Sequence, residues 1–138
     1  FMFKFMYNAT KNISVEFGNW LGSMPWDTFS TITYKFDINA KRNRKIMTGI
    51  ERRLNKLNRP HRVFWVMEHT YNSYQTHNHL LLHGEGVKSE IDLYLKENNL
   101  VNDRFVRHID YDSTLGANYY VSKYISSNNI DYDISFNE

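Results

Sequence analysis

His77-Asn78-His79-Leu80-Leu81-Leu82 sets two imidazoles one residue apart, directly ahead of three leucines. In an extended strand, residues i and i+2 point to the same face, so His77 and His79 lie together and Asn78 points the other way. Two imidazoles on one face can grip a single metal ion. The plainer alternative is a pair of histidines on the half-exposed face of an edge strand. A second segment bears on that choice. Tyr120-Val121-Ser122-Lys123-Tyr124, read as a helix, brings Tyr120 and Tyr124 one turn apart with Lys123 beside them. A metal that polarises a phosphate and a tyrosine that attacks it are together the parts of a nuclease that becomes attached to its substrate.

The chain of 138 residues is the size of one domain. With no cysteine, a disulfide framework, a thiolate zinc site and a cysteine nucleophile are excluded, and a reducing cytoplasm is compatible. No segment approaches the roughly twenty apolar residues of a membrane span. The apolar start, Phe1 to Met6, is too short and interrupted for a signal peptide.

The net charge of +2 conceals a concentration of cations between residues 41 and 62, where Lys41, Arg42, Arg44, Lys45, Arg52, Arg53, Lys56, Arg59 and Arg62 face one acid, Glu51. This cluster is either the solvated face of a helix or a footprint for a phosphate backbone. The segment from Ser126 to Glu138 has no Lys or Arg and carries Asp131, Asp133 and Glu138, which reads as an acidic tail or linker after a domain of residues 1–125.

Periodicity supplies the order of elements. Thr28 to Lys35 alternates β-branched and aromatic residues as a strand does. Ile46, Met47, Ile50, Leu54 and Leu57 recur at helical spacing after Asp37 and Asn39, which can cap a helix, and before Pro60. Arg62 to Glu68 is a second strand, joined to the histidine strand by a polar hairpin over residues 70–76. Ser89 to Asn98 reads as a helix, Asp103 to Ile109 as a strand, and Gly116 to Ser126 as the last helix, with Ala117, Val121 and Ile125 as its buried stripe. Strand, helix, strand, strand, helix, strand, helix suits an α+β fold with a central antiparallel sheet and flanking helices, of the ferredoxin-like kind. Residues 1–27 could supply an edge strand or a helix.

In the hairpin, Glu68 falls across from His77 or His79 and can complete a mixed nitrogen and oxygen ligand set suited to Mn²⁺ or Mg²⁺. His69 has the opposite parity, and His83 lies about 13 Å from His79 along an ideal strand. These two, with His61 and His108, are expected to be structural or solvent-facing. Tyr120 sits at the border of the apolar stripe, where a phenol can meet a ligand, and a rotation of about 100° about the helix axis separates it from Tyr119.

Three segments in order, Thr28 to Tyr34, His77-Asn78-His79 with Leu80 to Leu82, and Tyr120 to Tyr124, resemble the motifs of the HUH single-strand endonucleases. The closest branch in pattern is the rolling-circle replication initiators of small single-stranded DNA viruses, phages and plasmids. Asn78 departs from the hydrophobic residue usual between the histidines. The resemblance implies a ferredoxin/RRM-like HUH fold in which His77, His79 and Glu68 hold Mn²⁺ or Mg²⁺ on the scissile phosphate. It implies that Tyr120 attacks, leaving a 5′-phosphotyrosyl link and a free 3′-hydroxyl, with Lys123 neutralising the phosphate. Tyr124 is either a second nucleophile or a packing residue. The implied partners are single-stranded DNA or an origin hairpin, held partly by Lys41, Arg42, Arg44, Lys45, Arg52 and Arg53, together with a host polymerase. A helicase must come from elsewhere, because no phosphate-binding P-loop is present. The implied setting is the cytoplasm of a host cell, foremost a bacterial one. A transposase or relaxase with the same chemistry, and a silent single-strand-binding module stacking bases on Tyr71, Tyr74 and Phe64, are the competing readings.

Overall fold

A computed structural model describes residues 14–69, 76–102, 106–123 and 131–137. Residues 14–22 are helical (α1). There follow β1 (Thr28–Thr33), α2 (Ala40–Asn55), β2 (His61–His69), β3 (Thr76–His83), α3 (Val87–Glu97), β4 (Val106–Asp110), α4 (Ala117–Ser122) and β5 (Tyr132–Asn137). The fold is α+β: five strands form one antiparallel sheet in the order β4-β1-β3-β2-β5. The histidine strand β3 is therefore central, with β1 on one side and β2 on the other. It is not an edge strand.

The two faces are covered unequally. On one, Ile46, Met47, Ile50 and Leu54 of α2 and Val87, Ile91 and Leu95 of α3 pack on Ile32, Val63, Trp65, Met67, Leu80 and Leu82. Burying each such side chain contributes about 1.5–3 kcal/mol, so this layer dominates the stability. Asn39 caps α2 as expected, its Oδ1 accepting from the Arg42 amide at 2.8 Å. On the other face, Leu21, Trp26 and Val121 close over Phe64, Val66 and Leu81, a smaller cover that leaves the sheet beside it accessible.

Two expectations need correction. The segment read as an acidic tail contributes β5 to the sheet, pairing with β2 from His61↔Asn137 to Val66↔Tyr132. Asp131 and Asp133 are ion-paired there: Arg44 of α2 bridges Asp131 at 2.5 Å and Asp133 at 3.0 Å and stacks over Trp65. Phe64 is fully buried and has no face to offer a base, because it fills the core under α1. Tyr71, Tyr74, Tyr124, Ile125 and the His69 side chain lie outside the described residues. Among the described residues, no helix is long and apolar enough to cross a membrane.

Candidate active site

Strand register assembles the site. His77 lies opposite Thr33 on β1 and Glu68 on β2, and His79 lies opposite Thr31 and Val66. All of these project from the sheet face away from α2 and α3. Asn78, with opposite parity, is buried beneath them. Its Nδ2 donates to Tyr34 Oη at 2.7 Å and to Asn43 Oδ1 at 2.6 Å, while Asn43 Nδ2 donates back to Asn78 Oδ1 at 3.1 Å. The polar residue between the histidines thus ties β3 to α2, and all three side chains are satisfied, as burial requires.

Both imidazoles are held through Nδ1. Thr33 Oγ1 is 2.9 Å from His77 Nδ1, and Thr31 Oγ1 is 3.2 Å from His79 Nδ1. A threonine hydroxyl can donate or accept, so it orients the ring in either neutral tautomer. On the other side of its ring, His79 Nε2 is 2.7 Å from Glu68 Oε2. Burial holds the His77 pKa below the ordinary histidine value, against the opposing pull of the Glu68 charge, and so favours the neutral, ligating form.

Tyr120 completes the group. Gly116, in the left-handed region at φ 77°, lets the chain turn into α4 without the strain a Cβ brings there. From α4 the Tyr120 ring meets His79 edge-on at 5.3 Å between centroids and Phe29 at 6.0 Å. Lys123 Nζ lies 4.0 Å from the centre of the Tyr120 ring. Tyr119 is turned elsewhere: its hydroxyl donates to Asn19 Oδ1. A Cβ at Gly18 would come within 2.5 Å of the Tyr119 ring, so that ring is wedged against α1. Spacing alone does not choose between these two tyrosines, whereas their packing differs.

The donor set fits a divalent ion: two imidazoles fixed through their Nδ1 atoms, and a carboxylate now hydrogen-bonded where a cation would replace a proton. Among the described residues no three His, Cys, Asp or Glu side chains converge as a metal-binding group. His61, His83 and His108 make structural contacts. His61 Nδ1 donates to the Arg59 carbonyl, His83 meets Asp27, and His108 bridges Ser30 and Asp92.

The basic helix lies apart from this group, since α2 covers the opposite sheet face. Arg44 and Arg53 are engaged in ion pairs, the latter with Glu90 at 2.7 Å and Glu97 at 2.5 Å. Lys41, Arg42, Lys45 and Arg52 are exposed. The residues missed from the sequence are Thr31 and Thr33, whose role depends on register, and Arg107, which pairs with Thr31 and so shares a cross-strand row with His79. Comparison with protein-family models, curated proteins and solved structures finds no match for this chain.

Proposed function

We propose that this chain is a metal-dependent tyrosine endonuclease of the HUH kind that nicks and rejoins single-stranded DNA as a replication initiator. The observation that carries the reading is the meeting of Tyr120 with His79 at 5.3 Å, with Lys123 on one side and Glu68 on the other. The order β4-β1-β3-β2, with helices in the crossovers and the histidines on a central strand, supports the ferredoxin-like arrangement such an enzyme needs.

His77, His79 and Glu68 would hold Mn²⁺ or Mg²⁺, which when bound polarises a phosphate oxygen as a Lewis acid. Tyr120 Oη forms a bond to phosphorus as the bond to the 3′-oxygen breaks. The phenol loses its proton to solvent, and the departing 3′-oxygen gains one. One phosphoester replaces another, so the tyrosyl link retains the bond for rejoining without ATP. Lys123 places an ammonium beside the charge that builds on the phosphate. Lys41, Arg42, Lys45 and Arg52, being on the far face, serve flanking phosphates rather than the scissile one.

The test is incubation of the protein with labelled single-stranded origin DNA, with and without Mn²⁺, followed by a denaturing gel. A metal-dependent, SDS-resistant adduct that is lost in Tyr120→Phe and kept in Tyr119→Phe supports the reading. Loss in Tyr119→Phe or Tyr124→Phe instead moves the nucleophile. Binding without any adduct favours a silent single-strand-binding module.

A further inference from the structure

Gly18 and Gly22 sit one turn apart on α1, and both meet α4. A Cβ on Gly18 would lie 2.5 Å from the Tyr119 ring and 2.8 Å from Ser122 Oγ, and one on Gly22 would lie 2.7 Å from Asn118 Nδ2. Real Cβ atoms do not come that close, so α4 occupies the space that side chains at these two positions would take. Neither glycine is in the left-handed region, and glycine is a poor helix former. The close approach of the two helices is what calls for glycine here. We infer that Gly18 and Gly22 are positioning residues for the nucleophile, fixing the rotation of α4 about its axis so that Tyr120, and not Tyr119, is turned towards His79. The inference rests on the proposed function and adds what holds its attacking group in place.

The face of α4 that meets α1 is small and polar. Asn118 and Ser122 are both buried, one turn apart, and Asn118 Nδ2 donates to the Gly18 carbonyl at 2.8 Å. Beside them the Tyr119 hydroxyl donates to Asn19 Oδ1, and Val121 joins Leu21 in the core. Two residues on from Asn118, Tyr120 points about 200° away from it around the helix, which carries its ring to Phe29 and His79. A rotation of about 100° would bring Tyr119 to that place instead. The candidate metal ligands stand on β2 and β3, so the glycines act on the reaction through α4. A misplacement of about 1 Å at a reacting group is enough to slow chemistry severely.

The test measures four quantities: the maximal rate of adduct formation on labelled single-stranded origin DNA with Mn²⁺, the DNA concentration at half that rate, Mn²⁺ affinity by titration calorimetry, and the urea midpoint. The variants are Gly18→Ala, Gly22→Ala and the double variant Gly22→Ala/Asn118→Ala, whose shortened side chain makes room for the added methyl. Each glycine variant should lose at least about tenfold in maximal rate, with half-saturating DNA and Mn²⁺ affinity as in the wild type. The double variant should recover most of the loss. Asn19→Ala, at an exposed position, removes the acceptor of the Tyr119 hydroxyl without adding volume and should slow the maximal rate by about threefold. It reads the same contact should the glycine variants not fold. An unchanged maximal rate in these variants, a loss that only tracks Mn²⁺ affinity or the folded fraction, or a double variant no faster than Gly22→Ala overturns the inference and leaves the nuclease reading standing. If the wild type forms no adduct, both fall.

Discussion

His79 and Glu68 are diagonal rather than direct neighbours across β2 and β3, yet they are joined: Glu68 pairs in register with His77, and its Oε2 reaches the Nε2 of His79 at 2.7 Å. One carboxylate therefore serves both imidazoles. Glu68→Gln keeps the shape and removes the charge. It should weaken Mn²⁺ binding, measured by titration calorimetry, by at least about tenfold, the scale seen when a metal site loses a supporting carboxylate, with adduct formation falling in parallel.

Thr31 and Thr33 touch the site only through the imidazoles. Replacing either by valine keeps a β-branched strand residue but removes the Nδ1 partner. Each single variant should lose about tenfold in Mn²⁺ affinity with little change in the urea midpoint. A large drop in stability with unaltered metal affinity would reassign the two hydroxyls to fold maintenance.

Much of this was legible before any coordinates. Alternation placed His77 and His79 on one face and Asn78 on the other, and the i, i+3, i+4 rhythm of Ile46 to Leu54 located α2. What was not legible depended on register and on long-range pairing. Thr31 and Thr33 acquire meaning only once β1 is slid against β3. Asp131 and Asp133 look like a solvated tail until Arg44 is found beside them, because a local excess of acid says nothing about a cation 87 residues away. Tyr119 and Tyr120 differ only in what α1 and β1 present to them. The basic run was visible, but which sheet face it covers follows from the packing of its apolar stripe.

Asn78→Ala should be costly despite the residue's small size. It strands the Asn43 amide and the Tyr34 hydroxyl in the core, and at about 1–3 kcal/mol for each buried group left unmade the loss should be roughly 3 kcal/mol in urea unfolding. Partial relief in the double variant with Asn43→Leu would identify the lost hydrogen bonds as the cause.

Tyr34 sets an alkaline limit. Burial raises its phenol pKa far above the ordinary value, outweighing the opposing hydrogen bond from Asn78. The unfolded chain, with a pKa of about 10, ionises first. Stability is then complete below about pH 10 and declines as pH rises further. Tyr34→Phe should be less stable than wild type at neutral pH, because Asn78 loses an acceptor, yet its unfolding midpoint should fall less steeply between about pH 9 and pH 11. Equal slopes would show that another group governs the alkaline loss.

The placement of β3 at the middle of the sheet and of Tyr120 on a six-residue helix divides the molecule mechanically. The candidate ligands stand on β2 and β3, each paired on both sides, and Tyr120 stands on a short helix held to α1 by Tyr119 and by the Asn118 Nδ2 bond to the Gly18 carbonyl at 2.8 Å, and to the sheet by Val121. On the proposed strand-transfer reading, the severed end rides on α4 while the candidate ligands stay on the sheet.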